Sequence, residues 1–371
     1  MRASNQARSV WARIVAGVLV GGLTAGGATA IEIKPQQVID RYHRVLSLLA
    51  SGDREQAMQA LWDLETRAID GSVGSSELER YWRLKLKVIR EALLAGEIDQ
   101  LIPVVMLHHD AYLMYREKHQ PFLAGHTRSM AAELAELLAK RSSDPQVQEF
   151  SSWVLTSFAV YMQDSLSVSS SARLLEQALK FAPQNRVALL ALAAAHEKFG
   201  EYEPATRHLA RAVEMNGDDH EARLRLAICQ RRLKQEEAPI RHLRRLLDPG
   251  PPDWVRTLAF EELARIYRDR GERTKAEEVL QRGMSEFPAG QQLRIQAAAY
   301  LEMDRRPKEA AAILDSIAPA EGPDNSPRYV YDRWPHEGVE AQRGQMRGMV
   351  ESRLGLLAAG LRSSPTTGVG S

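Results

Sequence analysis

The sequence predicts an all-α chain, an α-solenoid of stacked antiparallel helix pairs, and three observations carry that expectation. Ala, Leu, Arg and Glu dominate long stretches while aromatic residues make up only 6% of the 371 residues, the composition of a helical protein. A glycine followed five residues later by an alanine recurs at Gly52–Ala57, Gly200–Ala205 and Gly271–Ala276. Around the last two, apolar positions recur with a phase of about 34 residues, and a fixed phase is much harder to reach by chance than amphipathicity alone.

The rows can be laid out in order. Asn185–Asp218 carries Leu189, Leu192, Ala193 and His196, then Gly200, Tyr202, Ala205, Leu209 and Ala212. Asp219–Pro252 keeps Leu226, Ala227, Ile240, Leu243 and Leu246 in register, but Lys234 stands in the glycine position and Pro239 in the alanine position. The insertion Gly250–Asp253 delays the next row, Arg256–Ala289, which has Phe260, Leu263, Ala264 and Tyr267, then Gly271, Ala276, Leu280 and Gly283. Weaker rows run over Ser151–Gln184 and Gly290–Pro323. Each row reads as two helices: the glycine ends the first without a β-carbon penalty, and the alanine lets the second approach closely. One pair cannot bury its apolar face alone, so pairs stack.

Residues 31–150 read as divergent helical hairpins, with a first helix ending near Ser51, a loop over Asp70–Ser76, and long helical stretches at Pro103–Lys118 and Pro121–Arg141. A distinct amino-terminal helical domain is the alternative. Residues 324–371 read as an extended, proline-rich connection, a capping helix over His336–Leu361 that covers the last exposed seam, and a disordered tail. The first 30 residues differ from all of this. Three arginines without an acid precede the uncharged Ile14–Ala30, and Ala28-Thr29-Ala30 fits the small-x-small rule for signal cleavage. We therefore expect export, to a periplasmic, secreted or envelope-anchored location, with membrane attachment through residues 14–30 if the segment is retained.

The 34-residue pattern resembles the tetratricopeptide repeat family, departing from it where Leu-Gly reads Leu-Ala. That resemblance implies a superhelix whose first helices line a groove for an extended peptide or a partner helix. The groove positions it implies include His196, Arg223, Gln230, Phe260, Tyr267 and Arg294, together with Leu189 and Ala193. Phe260 and Tyr267 would form an apolar anchor with Arg223 beside them. The asparagines and lysines with which some members clamp a terminal carboxylate are missing at these positions.

Candidate chemistry is sparse. The formal charge of +1 supplies no field that would select nucleic acid, and no interleaved aromatics suggest base stacking. The basic run Arg223–Arg245 reads as a solvated face rather than a phosphate patch. Cys229 is the sole cysteine, excluding an internal disulfide, and falls at an inward position as a buried thiol. His108, His109 and Asp110, with His119 and His126, are the only histidine concentration and suit a metal centre. Adjacent helical residues point about 100° apart, however, and His196-Glu197 and His336-Glu337 lack the second histidine of a zinc-protease motif. The expectation is a non-catalytic protein–protein adaptor or assembly factor without cofactor. The alternatives are a metal-binding protein or enzyme with a site at His108–His126, and a structural component of an envelope secretion or polysaccharide machine.

Overall fold

The computed structural model describes residues 35–66, 87, 90, 98–118, 121–162, 168–288, 290–317 and 326–363. The export segment, the loop at Asp70–Ser76, His119 and the tail after Ser363 lie outside the described residues. Among the described residues every regular element is a helix, as the composition and phase predict.

The chain divides into two compact units, residues 1–154 with 343–371, and residues 155–342. In the first, α1 (Pro35–Ala50) and α2 (Arg54–Thr66) pair as a hairpin, and so do α3 (Ile98–Glu117) and α4 (Pro121–Arg141). The turn between α1 and α2 holds Gly52 at φ +82°, a conformation that only glycine adopts without strain. The core of this unit contains Val45, Leu61, Ile102, Val105, Met130 and Leu134.

The second unit takes the carboxyl-terminal part of α5 (Pro145–Met162), then α6 (Val168–Phe181), and after that four helix pairs. These are α7 (Arg186–Lys198) with α8 (Tyr202–Met215), α9 (His220–Arg232) with α10 (Glu237–Leu246), α11 (Asp253–Asp269) with α12 (Arg273–Glu286), and α13 (Gln291–Met303) with α14 (Pro307–Asp315). Consecutive helices pack on one another, and α9 touches α11 as α11 touches α13, so the first helices of these rows lie side by side.

The backbone shows why the sequence repeats. The residue that ends each first helix is left-handed: Gly200 (φ +73°), Lys234 (φ +57°), Gly271 (φ +77°) and Arg305 (φ +61°). The longer interval between Lys234 and Gly271 contains the Gly250–Asp253 insertion. Two rows start on matching caps, with Asn185 accepting from the Ala188 amide at 3.1 Å and Asp219 from the Ala222 amide at 3.0 Å. Ala205, Ala212, Ala276 and Ala310 are fully buried where second helices cross first ones. At Gly283 an added β-carbon would lie 3.0 Å from the Phe260 ring, so glycine lets α12 close onto α11.

The carboxyl-terminal region corrects the sequence reading. Helix α15 runs from Pro327 to Ser363, so the segment taken as an extended connection is helical from Pro327 onward. Two of the prolines that make this stretch read as extended lie in the helix. Pro327 stands at the first helical position, behind Ser326, whose hydroxyl accepts the Tyr329 amide at 3.3 Å. Pro335 sits inside the helix, where the bond it deletes is replaced from another element, described below. Nor does the part of α15 within the second unit, Pro327–Gln342, cover the last seam. Met303 and Leu314 on the final pair remain 68% and 46% exposed.

Candidate functional site

Within the second unit, the first half of α15 lies against the first helices of the array. Tyr331 is fully buried there, in the cluster that contains Leu224, Ile228, Phe260 and Leu263. The Arg225 guanidinium of α9 stacks over the Tyr331 ring, 3.8 Å from its centroid, and donates to the Tyr331 carbonyl. Glu197 of α7 accepts the Tyr331 hydroxyl at 2.7 Å and a bond from Arg225 at 3.4 Å. Arg186 stacks on Trp334 at 4.5 Å from the ring centroid. Gly338 faces Val187 of α7, where an added β-carbon would stand at contact distance, 3.4 Å, and still closer to Trp334, at 3.2 Å. Tyr161 of α5 donates to Glu340 and sits edge-on to His336, 5.7 Å away.

The charges here are arranged to be buried. Arg225 is 2% exposed, and a buried guanidinium is tolerated only with partners. Its partners are Glu197, the Tyr331 carbonyl and the Tyr331 ring face. Burial pushes the Tyr331 phenol well above its ordinary range, with Arg225 opposing, so the hydroxyl stays protonated and donates. Cys229 is buried nearby, and its thiol is pushed up by burial and by the Glu197 charge, which makes it inert.

The structure places the sequence-derived site residues differently. Phe260 is fully buried between α11, α12 and α13, and Tyr267 is 4% exposed with its hydroxyl accepting from Arg244 at 2.7 Å. Both are row-to-row packing, not an accessible anchor. Arg223 is buried, bonding the Gly217 carbonyl and facing His242 at 3.3 Å. His196 meets Glu201 at 2.7 Å and stacks on His208, while half-buried Arg294 bonds its own helix at the Gly290 carbonyl. Gln230 is half-buried with its side-chain oxygen unbonded.

The residues that hold α15 are Val187, Glu197 and Arg225, one or two positions from Leu189, His196 and Arg223. One position is a rotation of about 100° around a helix, enough to exchange a seam-facing residue for a face-lining one. The basic run is a solvated face only in part: Arg232, Lys234, Arg241, Arg244 and Arg245 are exposed, and the exceptions lie on α9. Arg225 is buried, and Arg231 pairs with Glu262 at 2.6 Å. The one signal of this site in the sequence is the Tyr331-x2-Trp334-Pro335 cluster, which lies in the stretch whose prolines suggest a linker.

In the first unit the described part of the histidine concentration is largely interior. His108 and His109 are fully buried, and His109 lies 4.5 Å from Trp153. Asp110 faces Arg343 at 2.9 Å, Arg347 at 3.2 Å and Arg54 at 3.7 Å. Burial works to raise the Asp110 carboxyl, but hydrogen bonds from His109 and Arg343 and the Arg347 charge hold it far below the usual carboxylate range. Three guanidinium groups around the one carboxylate would repel a cation. Among the described residues no grouping of three His, Cys, Asp or Glu could hold a metal ion, and no helix is long and apolar enough to cross a membrane.

Residues 186–229 match the family model described as "Tetratricopeptide repeat", and the array of the second unit is of tetratricopeptide type. A comparison with curated protein sequences finds no match. Among solved structures the chain is similar to MamA, at 21% identity over 42% of this chain and 90% of that one, with a TM-score of 0.37. It is also similar to a tetratricopeptide repeat protein from Parabacteroides merdae ATCC 43184 (16% identity, 67% of this chain and 99% of that one, TM-score 0.43). A third is YrrB, described as having an unusual peptide-binding site (12% identity, 52% and 91%, TM-score 0.36).

Proposed function

We propose that this protein is a non-catalytic adaptor or assembly factor that binds a helical segment of another protein on the first helices of its repeat array. One observation carries the reading: α5, α7 and α9 together hold a helix through Tyr161, Val187, Glu197 and Arg225. A surface that supplies an apolar contact, a buried charge pair and an aromatic stack is suited to helix-in-groove recognition. The uncharged segment Ile14–Ala30 behind three arginines supports a site of action in the cell envelope, after export.

The test is cross-linking in intact cells followed by identification of the attached protein, comparing the natural chain with an Arg225→Ala, Glu197→Ala variant that retains its helical spectrum. The reading expects a saturable partner whose yield falls about tenfold or more in the variant. Equal yields would remove this face from the function.

A further inference from the structure

The bond that Pro335 deletes points to a recognition rule. A helical residue ordinarily donates its amide to the carbonyl four positions earlier, and proline has no amide. In α15 the carbonyl left without its partner is that of Tyr331, and this is the carbonyl that Arg225 bonds. The same guanidinium covers the Tyr331 ring, and Glu197 takes the hydroxyl of the same residue. Three features of one residue are thus met by one ion pair: the face of its ring, its hydroxyl, and a carbonyl free only because a proline follows four positions later. Trp334, stacked by Arg186, lies beside it. Most of the array buries aliphatic side chains between helices, whereas here two arginines and a glutamate grip a helix through polar and ring contacts.

We propose that the Arg225–Glu197 pair is a receptor for a helix carrying a tyrosine four positions before a proline, and that Pro327–Gln342 is the chain's own copy of that ligand. The segment occupies the face in cis, so a protein partner is a helix of the same chemistry that displaces it. This rests on the adaptor reading above and specifies what that adaptor selects. A tethered copy competes at an effective concentration in the millimolar range, about 1 mM for a short connection, which sets the threshold an incoming helix must exceed.

The test uses the full chain and a fluorescent synthetic peptide with the sequence of residues 326–342. In Tyr331→Ala, Trp334→Ala chains the tethered copy has lost its anchors, and the peptide should bind saturably by anisotropy. Natural chain should bind it at least about tenfold more weakly, because its face is filled. A peptide with Pro335→Ala should lose about tenfold or more on the opened chain, since its tyrosine carbonyl is then bonded within the helix. Adding Arg225→Leu to the opened chain should have the same effect.

Equal binding by natural and opened chains overturns the proposal, as does a Pro335→Ala peptide that binds undiminished, or no binding to an opened chain of normal helical spectrum. If the double variant loses its helical spectrum, the titration is repeated on Gly338→Leu, whose side chain would collide with Val187 and Trp334. Loss of structure in both variants also overturns it, because the segment would then be core rather than a removable ligand. A peptide that fails while cross-linking still recovers a partner removes this selectivity but leaves the adaptor reading. Success without any cellular partner does the reverse.

Discussion

Tyr331 is the residue at which burial, charge and hydrogen bonding meet. Tyr331→Phe keeps the ring under Arg225 but removes the donor to Glu197, leaving a partly buried carboxylate short of one bond. Urea unfolding should show a loss of about 1.5–3 kcal/mol, the range for a bond to a charged group. Tyr331→Ala should cost more than Tyr331→Phe, up to about 5 kcal/mol, because the packing of the ring is lost as well. A second residue sets a pH window. His208 is held down at about 4 by burial, by the neighbouring His196 and by Arg207 and Arg211, below its ordinary value of 6.5. The unfolded chain therefore takes up this proton first, and the contribution of neutral His208 is present above pH 6.5 and lost as pH falls toward 4. Thermal melts at pH 7 and pH 4.5 should differ more for the natural chain than for His208→Gln. An unchanged difference would show that His208 is not desolvated.

At the scale of the element, the turn between first and second helices is the sharpest test of the repeat. Lys234 and Arg305 adopt left-handed backbone that costs a non-glycine residue about 1–2 kcal/mol, whereas Gly200 and Gly271 adopt it freely. Lys234→Gly and Arg305→Gly should each stabilise by up to about 1 kcal/mol, reduced by the greater entropy of glycine in the unfolded chain. Gly200→Ala and Gly271→Ala should each destabilise by about 1 kcal/mol or more. Chemical denaturation of the four variants should give opposite signs for the two pairs. The same sign in all four would mean that these turns are not left-handed.

The whole molecule shows what a sequence of this kind exposes and what it hides. The helix pairs were legible because each row must solve the same packing problem with a glycine, an alanine and a leucine at fixed spacing, and the backbone follows that spacing even where Lys234 replaces the glycine. The site was not legible in the same way. Phe260 and Tyr267 look like exposed anchors in a row-by-row reading, yet both are buried, because whether a helix residue faces the seam or the lined face turns on a single position. Proline misled in the other direction. Pro327 and Pro335 read as breakers, but one begins a helix and the other is accommodated by Arg225, more than a hundred residues earlier in the chain. Such compensation is a long-range contact, and no local pattern announces it.

At this largest scale the proposed export predicts a mature chain that begins at Ile31, which intact-mass measurement on protein from the envelope fraction would check. A mass retaining residues 1–30 would favour anchoring over cleavage. The most direct test of the central claim is hydrogen–deuterium exchange of the full natural chain. If the first half of α15 is seated on the array as a removable ligand, the amides of Val330–Gln342 should exchange far more slowly than free peptide, yet faster than those of α7 and α9. Exchange of that segment at the rate of free peptide, with α7 and α9 still protected, would contradict it.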